Sequence, residues 1–110
     1  MQWDDLLKRL RQIGCNTVEE DYVDEYGQFI TGDYDSLKGR HLRCTYGRIL
    51  VDGSRMDVYM FSSEYEATEF IGLVKTESIP KVERWTQRRN IVFHVAGRNP
   101  HLTEEIIPLL

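Results

Sequence analysis

Cysteine is scarce in this sequence, with two residues in 110. Two thiols are too few for the disulfide framework that holds small secreted domains together, and Cys15 and Cys44 show no C-x-x-C spacing. An unpaired cysteine packs like a small apolar residue. We therefore expect two reduced thiols, at least one of them buried.

Long apolar runs are also missing. No segment approaches the roughly eighteen apolar residues that a membrane span needs. The first residues, Met-Gln-Trp-Asp-Asp, lack the basic head and apolar core of a secretory signal. These absences predict a cytoplasmic protein with no membrane span. An exported domain whose signal segment has been removed would give the same sequence, so that alternative stays open.

The sequence has no excess of positive charge. Its 14 basic and 18 acidic side chains give a net charge of −4, which argues against binding to duplex nucleic acid. We expect a protein partner or a homodimer, with a small-molecule ligand as the alternative. Residues 1–39 are the acidic part of the chain and carry a net charge of about −5. This region is either an ordinary solvated surface or a docking patch.

Motifs for catalysis, cofactors or metals are absent. The 8 glycines are scattered, so no phosphate-binding loop is indicated. Asp33 and Asp35 have the first spacings of a calcium loop, but its glycine and terminal glutamate are missing. The three histidines lack zinc-ligand spacing, and His41 and Cys44 would lie on opposite faces of one strand. We expect no catalytic residue, no cofactor and no metal, and the sequence favours a binding domain over an enzyme.

The residues that are present predict a single domain over residues 1–110. Its hydrophobic share of 41% and charged share of 29% are typical of a globular protein. Residues 16–31 contain enough β-branched and aromatic side chains for one or two short strands, and the turn formers of residues 32–39 predict a surface loop. Before them, a stripe at helical spacing that stops at Gly14 predicts the first helix: Trp3, Leu6, Leu7, Leu10 and Ile13.

The strongest signal is a hairpin from Leu42 to Phe61. Its two extended runs are joined by Asp52-Gly53, which favours a two-residue turn and thereby fixes the pairing of the strands. We expect one face of this hairpin to point into the core. That face carries the pairs Val51–Ser54, Ile49–Met56, Gly47–Val58 and Thr45–Met60, and the other carries Leu50–Arg55, Arg48–Asp57, Tyr46–Tyr59 and Cys44–Phe61.

A helix follows the first hairpin, and a second hairpin followed by a helix completes the chain. Ser63 and Glu66 form a capping box before a helical stripe that contains Ala67, Phe70, Ile71 and Val74. Two strands, Val82 to Gln87 and Ile91 to Ala96, then flank Arg88-Arg89-Asn90, and Asn99 caps a short final helix. The predicted fold is α+β: a two-layer sandwich with a mainly antiparallel sheet of about four to five strands, in the order α-β-β-β-α-β-β-α.

The leading binding hypothesis concerns the second face of the first hairpin. Tyr46, Arg48, Tyr59 and Phe61 are residue types that protein interfaces enrich, and they would share this face. Recognition of a protein partner, or of a second copy, through a sheet face or edge is therefore the predicted function. The alternative is that a helix covers this face or that the tyrosines lie on a wet sheet.

Two other groups of residues suggest weaker hypotheses. His94 and Trp85 could line a ligand-sensing or enzymatic pocket between helix and sheet, although His94 also suits a packed core position. Arg88 and Arg89, with Arg84 and Arg98, could bind a carboxylate or single-stranded nucleic acid beside Trp85. The alternative for these arginines is an ordinary solvated turn.

Overall fold

The computed structural model describes residues 2–29, 41–77, 84–95 and 97–110. Its elements follow the predicted order, and the predicted α+β class is confirmed. The predicted loop over residues 32–39 and the predicted strand residues 82, 83 and 96 lie outside the described residues. The elements are α1 (Trp3–Ile13), β1 (Thr17–Phe29), β2 (His41–Val51), β3 (Ser54–Met60), α2 (Glu64–Glu77), β4 (Trp85–Arg88), β5 (Ile91–Val95) and the C-terminal helix α3, a π-helical turn (His101–Ile106) followed by a 3₁₀ turn (Ile107–Leu109).

The described strands form one antiparallel sheet in the order β1-β2-β3-β5-β4. The hairpin of β2 and β3 has the predicted register, from Thr45 opposite Met60 to Val51 opposite Ser54. Its turn works because Asp52 and Gly53 both adopt positive φ angles, 50° and 84°. The Asp52 carboxylate also accepts a hydrogen bond from the backbone N–H of Asn16, which ties the entry to β1 to this turn.

Strand β1 is longer than the sequence indicated. In place of one or two short strands, one strand of 13 residues pairs along β2, with register shifts between Glu19 and Asp21 and between Val23 and Tyr26. Such bulges let a strand with irregular alternation follow a regular neighbour. The length of β1 is therefore set by its pairing with the long strand β2, and it cannot be deduced from the local sequence of β1.

Helices pack on both faces of the sheet. On one face, α1 and α3 cover a cluster that includes Leu6, Ile49, Met56 and Phe93. On the other face, α2 covers a second cluster, whose buried members are Cys44, Phe61, Ala67, Phe70, Ile71, Leu73 and Val92. The helices therefore form two layers around the sheet rather than the one expected layer, because an apolar stripe shows that a helix is buried but not against which face.

The predicted helix boundaries depend on specific hydrogen bonds. Gly14 ends α1 at a φ of 100°, and the Ser63 hydroxyl accepts from the Glu66 backbone N–H at the start of α2. Asn99 Oδ1 accepts from the backbone N–H of Leu102 at the start of α3. The hairpin of β4 and β5 turns through Arg89 and Asn90, with Arg89 at a φ of 54°.

Candidate functional site

The helices that the structure describes cover the sheet face under α2 only in part. The helix packs against β4 and β5, at one side of the sheet. On the other side, Val18 of β1 lies beside Leu50 of β2, and Val23 lies beside Tyr46. Val18 is 57% exposed and Val23 is 37% exposed. Arg48 of β2 and its partner Asp21 of β1 lie between these two pairs. We call the two pairs, together with Arg48, the apolar patch.

A buried carboxylate lies next to this patch. Asp57 on β3 is 8% exposed, and three side chains from neighbouring strands hydrogen-bond to it. The Tyr46 hydroxyl donates to Oδ1 at 2.8 Å, and Arg48 Nε donates to the same oxygen at 3.0 Å. His94 Nδ1 lies 3.2 Å from Oδ2. The network joins β2, β3 and β5 and fixes the orientation of all three partners of Asp57.

The network keeps Asp57 ionised. Burial acts to raise the pKa of this carboxyl, but the hydrogen bonds from His94, Tyr46 and Arg48 outweigh that effect and lower the pKa to about 2. Burial and the same carboxylate raise the pKa of the Tyr46 phenol, which therefore stays protonated as a donor. Asp57 thus acts as a fixed negative charge that positions Arg48 and His94.

A chain of aromatic rings connects the patch to α2. The rings of Tyr46 and Tyr59 have centroids 5.0 Å apart, and Tyr59 lies 5.0 Å from Phe70 on α2. Trp85 lies 5.9 Å from Tyr59 and 4.4 Å from the His94 ring. These separations are typical of aromatic pairs that add to packing. The rings therefore hold the edge of the patch rigidly.

Some of the residues predicted to bind a partner are partly exposed, and others are buried. Tyr46 and Arg48 are half-buried and belong to the apolar patch. Tyr59 is half-buried between other rings, whereas Phe61 is 3% exposed and packs in the cluster under α2. Phe61 therefore contributes to the core and offers no surface to a partner. The helix covers the predicted face at Phe61 and leaves it open at Tyr46.

His94 and Trp85 lie together on the face that carries α2, as the pocket hypothesis requires. The His94 side chain is 27% exposed. Because Nδ1 faces the Asp57 carboxylate, the other ring nitrogen points away from this hydrogen bond. The pair is therefore an oriented histidine beside an aromatic ring at the border of the patch.

The arginines do not form one cluster. Arg88 pairs with Ile91, whose side chain belongs to the cluster under α1 and α3, so Arg88 lies on the face opposite Trp85. Arg89 is in the turn before β5, whereas Arg98 follows the other end of this strand. A basic surface that combines these arginines with Trp85 is therefore not assembled.

Both thiols are free and buried. Burial is the main effect that raises the pKa of Cys44 to about 12, and burial also raises the pKa of Cys15, with Asp52 adding to it. A thiol with a raised pKa is a poor nucleophile at neutral pH. Neither cysteine is suited to act as a catalytic thiolate.

Sequence reasoning missed two contributors to the site. Val18 and Val23 were part of a region expected to form one or two short strands, and their common face depends on the bulge between Glu19 and Asp21. The Arg48–Asp57 pair was expected, but its link to His94 was not, because the pairing of β3 with β5 joins segments distant in sequence. The feature of the sequence that could have indicated the patch is the presence of isolated valines among the acidic residues of β1.

The fold and the site together define a small α+β domain with a partly open sheet face. Comparison with protein-family models, curated proteins and solved structures gives no match. In the described part of the chain, no three His, Cys, Asp or Glu side chains are grouped so that they could hold a metal ion. None of the helices described is long and apolar enough to cross a membrane.

Proposed function

We propose that this protein is a binding domain that recognises another protein through the apolar patch. The observation that carries the proposal is the exposure of Val18 and Val23 beside Leu50 and Tyr46, on a sheet face where α2 packs mainly against β4 and β5. Exposed apolar side chains that are grouped on one face of a folded protein are typical of an interaction site.

The composition of the patch suits a protein partner. Its aliphatic side chains can be desolvated readily, and Tyr46 and Arg48 are residue types that dominate binding energy in interfaces. Arg48 is already ion-paired with Asp57 at 3.0 Å, and its side chain remains 35% exposed. A partner would therefore meet a guanidinium that is held in place, and little side-chain entropy would be lost on binding.

A second candidate function is a ligand pocket beside His94. The observation that favours it is the Asp57–His94 contact of 3.2 Å, since a carboxylate that orients an imidazole is a common device for proton transfer. A thermal-shift screen against metals, nucleotides and metabolites tests this function. A ligand of the native state raises the melting temperature of the wild type, and the increase is lost in His94→Ala.

The patch is tested by capture from the lysate of the source organism. The bait variant is Val18→Ser/Leu50→Ser, which removes apolar surface but leaves Asp57 and the aromatic rings intact. We expect one or more proteins to be retained by the wild type and lost from the variant, and the purified partner to bind the variant about tenfold more weakly. Tyr59→Ala is less suitable, because Tyr59 packs against Phe70 and its loss would disturb α2.

The matched control is Tyr65→Ser/Leu109→Ser, which removes two exposed apolar side chains, 71% and 53% exposed, outside the patch. This control should retain the partner at wild-type level. Sedimentation of the three proteins shows whether a second copy occupies the patch, in which case only the patch variant becomes monomeric. Identical binding and identical sedimentation of all three proteins would contradict the proposal.

A further inference from the structure

A groove lies at the outer edge of the sheet, between the start of α1 and the first half of β1. Its volume is about 640 Å³. Trp3 and Tyr22 contribute two aromatic rings whose centroids are 5.2 Å apart. The other lining residues that the structure describes are polar, with four carboxylates and no basic side chain: Gln2, Asp4, Glu19, Glu20 and Asp21.

The floor of this groove is held firmly. The Trp3 ring packs directly over the Cα of Gly47 and is 8% exposed. Its Nε1–H donates to Glu19 Oε1 at 2.6 Å, so one carboxylate is fixed beside the ring. A rigid aromatic surface next to oriented carboxylates is the arrangement that attracts a lysine or arginine side chain.

The groove adjoins a strand edge. Strand β1 is the outermost strand of the described sheet, and residues 18–23 are all exposed. The backbone N–H of Tyr22 donates to Asp21 Oδ1 at 2.9 Å. The carbonyl of an added strand could replace this oxygen, and the carboxylate of Asp21 would then be released to pair with a cation. A strand added here would extend the sheet by backbone hydrogen bonds.

A second copy of this chain does not suit the edge. Residues 19–25 of β1 read Glu-Glu-Asp-Tyr-Val-Asp-Glu, and pairing two such strands would bring carboxylates against carboxylates. Like charges opposite each other destabilise a strand pair, and charged edges are a known protection against self-association. Charge complementarity therefore selects a basic partner.

We propose that the groove and the adjoining edge of β1 bind an extended, basic segment of a partner protein. The segment adds a strand beside β1, and one of its lysine or arginine side chains lies against the exposed ring of Tyr22 among the carboxylates. The rings of Trp3 and Tyr22 pack on the face of the sheet that carries α1, so the groove is distinct from the apolar patch and meets it only at Asp21, the strand partner of Arg48. Binding of a basic segment would account for the excess of acidic residues in the first part of the chain.

The probe is a synthetic peptide in which lysine and valine alternate, titrated by calorimetry into the full chain. The test variant is Asp4→Asn/Glu20→Gln, which removes two charges from the groove but keeps the size of both side chains. We expect this variant to bind the peptide about tenfold more weakly than the wild type. Binding to the wild type should also weaken as salt is raised, because the charges of the groove are exposed.

The matched control is Glu64→Gln/Glu104→Gln, which removes two exposed carboxylates outside the groove and changes the net charge equally. It should bind within about twofold of the wild type. Equal loss in both variants, or no binding to the wild type, would overturn the proposal. Equally tight binding of a glutamate–valine peptide or of free spermidine would also overturn it. Leu50→Ser, in the apolar patch, should bind the peptide normally, so the two proposals fail separately.

Discussion

At the scale of single residues, Gly47 shows how one missing side chain positions an element. A Cβ at this position would lie 2.6 Å from Cζ2 and 2.8 Å from Cζ3 of Trp3. The indole ring therefore reaches the surface of β2 only because residue 47 has no side chain. The same contact places Trp3 against Tyr22 and sets the start of α1 beside β1.

Replacing this glycine should destabilise the fold. We expect Gly47→Ala to lower the free energy of unfolding by about 2 kcal/mol, since the ring has to move out of a close-packed site. Urea denaturation measures the change. In a Trp3→Leu background, the cost of Gly47→Ala should be smaller.

The control for this prediction is Gly72→Ala. Gly72 lies in α2, and nothing stands within 4 Å of an added Cβ. Alanine should therefore raise stability there by up to about 1 kcal/mol through helix propensity. A Gly47→Ala protein as stable as the wild type would show that Trp3 does not depend on this contact.

Asp57 should make stability depend on pH in the acid range. Its pKa falls from the ordinary value of 3.8 to about 2 in the folded protein, which corresponds to roughly 2 kcal/mol. Because the folded-state pKa is the lower one, this contribution is present above about pH 4 and is lost as the pH falls towards 2. Urea denaturation of the wild type at a series of pH values should show this loss.

The variant Asp57→Asn tests the assignment. It should be less stable than the wild type at pH 7 by about 2 kcal/mol, and its stability should fall less between pH 4 and pH 2. Glu104→Gln, which removes an exposed carboxylate from α3, should retain the acid dependence of the wild type. The prediction is contradicted if Asp57→Asn and the wild type lose stability in parallel.

At the scale of elements, the two hairpins differ in how well their turns match their residues. The first turn uses Asp52-Gly53, which accepts positive φ angles easily. The second turn places Arg89 at a φ of 54°, where a long side chain is strained. Arg89→Gly should therefore raise the free energy of unfolding by about 0.5–1 kcal/mol.

The control for Arg89→Gly is Arg89→Ala. Alanine removes the same charge and side chain but retains the cost of a positive φ angle. It should leave stability within about 0.5 kcal/mol of the wild type, as is usual for a surface substitution. Equal stabilities of the glycine and alanine variants would show that the backbone at this turn is not strained.

The same contrast explains how much of the fold the sequence predicts. Asp52-Gly53 determines its turn locally, so the register of β2 and β3 follows from counting residues. Arg89 does not signal a turn by its residue type, so the length of the second loop could not be fixed. The extent of β1 and the face that α2 covers depend on contacts between distant segments, which local patterns do not encode.

In the candidate site, contacts within the first hairpin could be predicted from the sequence, whereas contacts with other elements could not. The pairs Tyr46–Tyr59 and Arg48–Asp57 follow from the register of the first hairpin. His94 joins Asp57 only because β5 pairs with β3, and no feature of the sequence specifies that neighbour. The burial of Phe61 has a similar origin, since it depends on the position of α2.

At the scale of the whole molecule, the sheet separates two apolar clusters. Ile49 belongs to the cluster under α1 and α3, whereas Val92 belongs to the cluster under α2. Both side chains are completely buried. Substitutions in different clusters share no packing contact, so their effects on stability should add.

A double-mutant cycle measures this independence. Ile49→Val and Val92→Ala should each destabilise by about 1–2 kcal/mol, and the double variant should equal their sum within about 0.5 kcal/mol. The comparison pair is Val58→Ala with Phe93→Leu, directly opposite each other in β3 and β5 within one cluster. This pair should deviate from additivity by more than about 0.5 kcal/mol. Equal coupling in both cycles would contradict the separation.

The position of α2 has a consequence for local opening. This helix is the only one in the described part of the chain whose side chains belong to the cluster that contains Phe70. The helix can therefore detach while α1 and α3 still cover the opposite face of the sheet. This partly unfolded form would expose Trp85 and Val92 to water. Amide protons of α2 should then exchange with solvent faster than those of β3, and Phe70→Ala should widen this difference.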